Sequence, residues 1–391
     1  MIEDLYPAAV KAAHPKDWGD RVQHRPMRLR GDAQSTSGDH PESGASRFTE
    51  AAQPHDARMI ERWWWILLAC VCIAGIAAWR LAEAPVPWIE RRPLGIMGTD
   101  ALLRCRGPAA AAALAESEQA LRQVEAQMSS WIEASDIGRV NAAPAGQAVA
   151  VRPATRALLG RAQNFFQISG GRFDVTCGPL IRLWRAAGAQ GQRPAADALT
   201  AARSLCGWRG FTLTDDGVIK ELADARIDLG GIAKGLGIDR AVTALQEAGQ
   251  TAGLVEVGGD LRVFGAGPHE GFFHIAIATG EDDTGNERLR LLNAAVATSA
   301  PTHRFSIIDG RRYSHIVDPA SGEALEEHRQ VTVVAPQAVT ADAWATALSV
   351  LGPTGLTRLP EGVEARLLRR TADGDWRHES TPGFSSLLLR R

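Results

Sequence analysis

The chain has 391 residues, 43 Lys+Arg against 45 Asp+Glu, a formal net charge of −2 and 45% hydrophobic residues. Near-neutrality supplies no basic field for nucleic acid, and the composition excludes a mostly disordered chain, a collagen-like fibre and a multi-span membrane protein. Five cysteines, at 70, 72, 105, 177 and 206, show neither zinc-site spacing nor a disulfide framework.

Residues 1–62 read as a disordered tail. Within it, 31–55 (GDAQSTSGDHPESGASRFTEAAQPH) has no apolar period, and such a segment buries too little surface to offset its ordering entropy. Met59 offers a second start that would leave most of the tail outside the protein. The run 63–79 (WWWILLACVCIAGIAAW) carries no charge over 17 residues. As a helix it spans roughly 25 Å, the short end of a membrane crossing, and its terminal tryptophans suit interfacial belts. A buried core helix is the competing reading, opposed by the run being apolar on every face. Pro85 follows the Ala82-Glu83-Ala84 stretch and disfavours cleavage there. The expectation is an uncleaved, single-pass signal anchor in the inner membrane, with the body (85–391) on the periplasmic side.

In the body, 109–127, 154–168, 236–248 and 340–351 have helical spacing, the third closed by Gly249. Between them lie short β-rich runs at 211–214, 218–222, 253–257, 261–264, 272–278, 305–308 and 331–335, and Asp309-Gly310 marks a hairpin after 305–308. Helices mixed with antiparallel-looking strands predict an α+β fold.

The signatures GxxxxGK[ST], HExxH, GxSxG and a strand-following GxGxxG are absent. Four other segments carry chemistry. Residues 227–235 (IDLGGIAKG) read as strand end, glycine turn and helix start, where free N–H groups and Lys234 suit a phosphate; a tight turn with a surface lysine fits equally. In 340–348 (TADAWATAL), Asp342 and Thr346 stand one helical turn apart, a carboxylate and a hydroxyl suited to a hard cation such as Mg²⁺; a helix cap near Thr340, with Asp342 in the first turn, is the plainer reading. In 312–322 (RYSHIVDPASG), His315 lies in a strand ending in a Pro/Gly turn, as a base, a phosphate ligand or an ordinary strand histidine. In 170–179 (GGRFDVTCGP), glycines flank a short polar strand, a ligand-lining loop or a plain hairpin.

These segments resemble one family, the FAD:protein FMN transferases or ApbE family. The resemblance runs over 94–360, through Met97-Gly98-Thr99, Met128-Ser129-Ser130-Trp131, 135–141 (SDIGRVN), GGRFDVTCGPL, IDLGGIAKG, 255–260 (VEVGGD), Ala297-Thr298-Ser299, RYSHIVDPASG, Val331-Thr332-Val333 and ADAWAT, in the family's order. It implies a T-fold-like mixture of helices and antiparallel sheet, and transfer of FMN from FAD to a Thr or Ser hydroxyl of an acceptor, a membrane or periplasmic redox protein, with release of AMP. It further implies Mg²⁺ on Asp342, Thr346 and the main-chain oxygen of Gly231. FAD would be lined by Met97, Trp131, Arg172, Phe173, Asp174, Asp228, Lys234 and Ile316, with Lys234 on a phosphate and His315 assisting deprotonation of the acceptor. The same site would serve a hydrolase cutting FAD to FMN and AMP, and a non-catalytic flavin-binding protein is a third reading. One departure stands out: the family's Thr-Ser-Gly is Thr298-Ser299-Ala300 here, which bears on loop geometry because glycine alone adopts positive φ readily.

Overall fold

The computed structural model describes residues 62–74, 86–277, 287–300, 305–326, 329–371, 373 and 375–389. Contacts divide the chain into two units, Met1–Ala82 and Glu83–Arg391. In the first, helix α1 covers 62–74, with Trp63, Trp64, Trp65 and Ile66 exposed. Among the described residues no helix is long and apolar enough to cross a membrane; residues 75–79 of the expected anchor, and the tail up to residue 61, lie outside the described residues.

The second unit runs β1 (Ile89–Arg91), β2 (Ala101–Arg106), α2 (Ala110–Met128), α3 (Asp136–Ala142), β3 (Ala148–Ala150), α4 (Pro153–Ile168), α5 (Gly178–Gln190) and α6 (Ala196–Ser204). It continues with β4 (Phe211–Leu213), β5 (Gly217–Lys220), α7 (Ala233–Glu247), β6 (Ala252–Val257), β7 (Asp260–Gly265), β8 (Phe273–Ile277), β9 (Glu287–Leu291) and β10 (Ala295–Ser299). It closes with β11 (Phe305–Ile308), β12 (Arg311–Ser314), β13 (Arg329–Ala335), α8 (Ala338–Leu351), β14 (Glu364–Arg370), β15 (Trp376–Ser380) and α9 (Phe384–Leu387). Eight strands form one sheet in the order β1-β2-β6-β7-β10-β13-β14-β15, antiparallel at every pairing. The α+β expectation holds.

Period-2 alternation sends side chains of one strand to opposite faces of the sheet. On β6 and β13, Val255, Val257, Val331 and Val333 join the main core with α2, α7 and α8. Leu254 and Val334, each next in the chain to one of these valines, pack on the other face with Phe273, Leu289 and Phe384. Each such aliphatic side chain contributes about 1.5–3 kcal/mol on burial.

Helices α7 and α8 position the site. Glycine at 235 lets them approach: a Cβ there would lie 2.4 Å from Ala338 O and 2.5 Å from the Val339 Cα. Each helix then caps the other. Asp239 of α7 accepts from Ala338 N at 2.9 Å and Val339 N at 3.0 Å, the open start of α8. Asp342 of α8 accepts from Gly235 N at 3.0 Å, in the first turn of α7. Helix starts leave unpaired N–H groups and a partial positive charge, so a carboxylate at each satisfies both. This corrects the plainer reading of Asp342. It lies past the first turn of its own helix, whose N-cap is Gln337.

Two other expectations change. Residues 170–177 are a loop leading into α5 rather than a strand. Asp174 makes the turn there, accepting from Thr176 N at 2.8 Å and Thr176 Oγ1 at 2.6 Å. And β12 ends at Ser314, so His315 sits in the bend that follows.

Candidate functional site

The site grows from the start of α7. Asp228 closes a turn by accepting from Gly230 N at 2.8 Å, and its own N–H donates to Val175 O at 2.8 Å, tying this segment to the 170–177 loop. Gly231 faces Thr346: a Cβ on it would lie 2.8 Å from Thr346 Oγ1 and 3.2 Å from Thr346 Cγ2. Any side chain at 231 would fill the space between that hydroxyl and the turn.

Lys234 and Asp342 complete this corner. The Lys234 ammonium pairs with Asp260 and stands 3.8 Å from Asp342 Oδ1. Asp260 also accepts from Thr298 N at 3.0 Å, which fixes the end of β10. Burial pushes the Asp342 carboxyl up to about 6; Lys234 opposes that and the neighbouring Asp260 reinforces it. A carboxylate held against its own desolvation is a group with much to gain from a cation.

Does this corner suit Mg²⁺? Among the described residues no group of three His, Cys, Asp or Glu is placed to hold a metal. The donors that converge are one carboxylate (Asp342), one hydroxyl (Thr346) and the main chain at Gly231. All are oxygens, as a hard cation requires, and a Mg²⁺ ion ordinarily completes its shell with water and substrate phosphate. The residues fit the ion.

The remaining expected residues fall into smaller groups. Met97, at φ 50°, lays its side chain over α7, where a Cβ on Gly237 would come within 2.6 Å of Met97 Cε. Arg172 donates to Asp318 at 2.7 Å, joining the 170–177 loop to the turn after Ile316. Ile316 and Asp318 line a cavity of about 370 Å³ together with Ser299, Ala300, Ser314 and Arg329. His315, beside it, is exposed. Trp131 is 71% exposed and its ring stacks under the Arg185 guanidinium at 4.3 Å.

Three expectations are adjusted. Phe173 is 2% exposed and its ring packs edge-on against Phe165 at 5.8 Å, so the ring belongs to the core rather than to an open ligand surface. Asp174 spends its carboxylate inside the protein, on Thr176 and on Gly207 N at 3.0 Å. Lys234, expected on a phosphate, is paired with Asp260. Among the described residues the non-glycine positions at positive φ are Met97, Ala109, Glu270, Asn293 and Asp309, without Ala300; the departure from glycine causes no left-handed strain. Sequence reasoning missed Asp260 as a site residue. Its signal was the turn Gly258-Gly259, at φ 58° and 91°, which delivers a 2% exposed aspartate at the start of β7.

A buried carboxylate, a hydroxyl and a lysine gather around a glycine turn at the start of α7. The ApbE family model matches residues 97–367, and the chain belongs to that family. It is 32% identical over 283 residues to an FAD:protein FMN transferase of Vibrio cholerae, covering 70% of this chain and 84% of that one. It is 33% identical over 277 residues to one of Treponema pallidum, covering 65% and 76%. The apo crystal structure of the Pseudomonas stutzeri flavinyl transferase ApbE superimposes with a TM-score of 0.70 at 31% identity, over 78% of this chain and 98% of that one. The Thermotoga maritima ApbE protein gives 0.70 at 28%, over 77% and 99%.

Proposed function

We propose that this chain is an FAD:protein FMN transferase that moves FMN from FAD onto a Thr or Ser hydroxyl of an acceptor protein and releases AMP. The observation that carries the reading is the convergence of Asp342 and Thr346 of α8 on the Gly231 turn at the start of α7. The acceptor oxygen forms a bond to the FMN phosphorus, the bond from that phosphorus to the bridging oxygen breaks, and AMP leaves with the electron pair. Such a transfer needs charge neutralisation, alignment and a base.

Asp342, Thr346 and the Gly231 carbonyl would hold Mg²⁺, which when bound neutralises pyrophosphate charge. Lys234 adds a fixed positive charge at the same helix start, held in place by Asp260. Met97, Asp228 and Ile316 border the ligand, Arg172 fixes the turn beyond Ile316 through Asp318, and Trp131 offers the indole face that Arg185 leaves uncovered. His315 is exposed beside the cavity, where an acceptor's hydroxyl can reach it, and takes that proton. The uncharged 63–79 run anchors the chain in the inner membrane with the catalytic unit outside, facing membrane or periplasmic redox proteins as acceptors.

The test is AMP release from FAD and Mg²⁺, with and without a redox subunit carrying a short Asp/Ser/Thr-rich target segment. The reading expects AMP release that depends on the acceptor. Equal release without acceptor identifies a hydrolase, and FAD binding with no AMP identifies a flavin-binding protein; either overturns the reading.

A further inference from the structure

Two buried cysteines stand outside the proposed chemistry. Cys177 immediately precedes α5 and Cys206 follows α6; they are 2% and 8% exposed and both are free. They belong to a third apolar cluster with Leu180, Trp184 and Leu199. Asp174 and Thr176 bring their segments together: Gly207 N donates to Asp174 Oδ2 at 3.0 Å and to Thr176 Oγ1 at 2.7 Å. Cys177 follows Thr176 and Cys206 precedes Gly207 in the chain, so the hydrogen bond between Gly207 and Thr176 sets the two cysteines side by side in the cluster, and the Cys206 thiol donates to Ala202 O at 3.3 Å. Cysteines adjoining a hydrogen-bonded pair on facing segments can reach bonding distance with little backbone movement.

We propose that Cys177 and Cys206 are a redox pair, closed by a small-molecule disulfide oxidant into a bond that ties the loop carrying Arg172, Phe173 and Asp174 to the end of α6. With oxidised glutathione the step balances. One cysteine sulfur attacks the glutathione disulfide and releases one glutathione thiol. The second cysteine sulfur displaces the other, so two thiol hydrogens and two electrons pass to glutathione as the Cys177–Cys206 bond forms. The neighbouring Cys206, burial and the Asp174 carboxylate all push the Cys177 thiol well up, so thiolate is scarce and closure is faster in alkaline buffer. The bond is independent of the flavin reading and stands if that reading fails.

The test treats the full chain with excess oxidised glutathione in mildly alkaline buffer, alkylates the remaining thiols and digests with trypsin without reduction. Cleavage after Arg172, Arg182, Arg203 and Arg209 places the two cysteines in separate peptides, 173–182 and 204–209. The expected result is a linked pair two hydrogens lighter than the sum, lost on reduction. Oxidation should also raise the melting temperature of the parent by about 5 °C and leave that of Cys206→Ala unmoved. Recovery of the two peptides unlinked, alkylated or carrying glutathione, after the exposed Cys70 and Cys72 have reacted fully, overturns the proposal.

Discussion

Replacing Asp342 by Asn separates the cost of that carboxylate from its use. In the metal-free protein its carboxyl is pushed from 3.8 up to about 6, first by burial. The folded chain therefore holds the proton more tightly than the unfolded chain. Stability from this group is full below the unfolded value and declines as pH rises through the folded one. A difference of about two pH units corresponds to about 3 kcal/mol near neutral pH. Asn keeps the shape and an acceptor for Gly235 N, while Lys234 keeps Asp260 as its partner. Without metal, near neutral pH, Asp342→Asn should thus be more stable than the parent by about 1–3 kcal/mol, with the gain shrinking toward pH 4. Mg²⁺ should raise the urea midpoint of the parent and leave that of the variant in place, and AMP release should fall by at least about 100-fold. Urea melts in EDTA and in Mg²⁺ decide it. A variant less stable than the parent in EDTA, or one that gains as much from Mg²⁺, would refute the reasoning.

Gly235→Ala should cost about 3 kcal/mol, because its Cβ meets the α8 backbone at 2.4 Å and backbone cannot step aside; an unchanged thermal melt contradicts this. Lys234→Met leaves Asp260 and Asp342 buried without their cation and should cost about 3–5 kcal/mol near neutral pH. The loss should narrow in acid as Asp342, whose carboxyl burial already pushes up to about 6, takes up its proton, and a pH-independent loss would point to packing instead. Ala300→Gly should leave FAD affinity by calorimetry nearly unchanged and alter turnover, since residue 300 lines the cavity beside β10. An affinity change of about tenfold with unchanged turnover would place residue 300 on the FAD itself.

What was legible in the sequence followed local periodicity. Helices α2, α4, α7 and α8 carried their spacing openly, and Asp309-Gly310 turns β11 into β12 at φ 51° and 74°. Strands β9 and β14 did not show themselves, because ERLRL and EARLLRR interrupt the apolar alternation with charge. One of those charges, Arg366, is 5% exposed and paired with Glu287 across sheet elements, a partnership no local window contains. The start of α5 was hidden in Gly178-Pro179, where proline opens a helix as readily as it ends a strand. At the site, Asp342 and Thr346 were readable from their one-turn spacing. The reciprocal capping of α7 and α8 was not, since Gly235 and Asp342 are 107 residues apart. Nor was the diversion of Lys234 to Asp260, which depends on how β7 enters the sheet.

The most direct test of flavin transfer is the mass of the acceptor. A purified redox subunit with a Thr- or Ser-containing target segment is incubated with this protein, FAD and Mg²⁺, then measured intact and after digestion. Transfer predicts that the subunit gains one FMN phosphoester on a single Thr or Ser, with one AMP released per flavin attached, and that Thr346→Ala slows both together. AMP accumulating while the subunit's mass stays unchanged would contradict it.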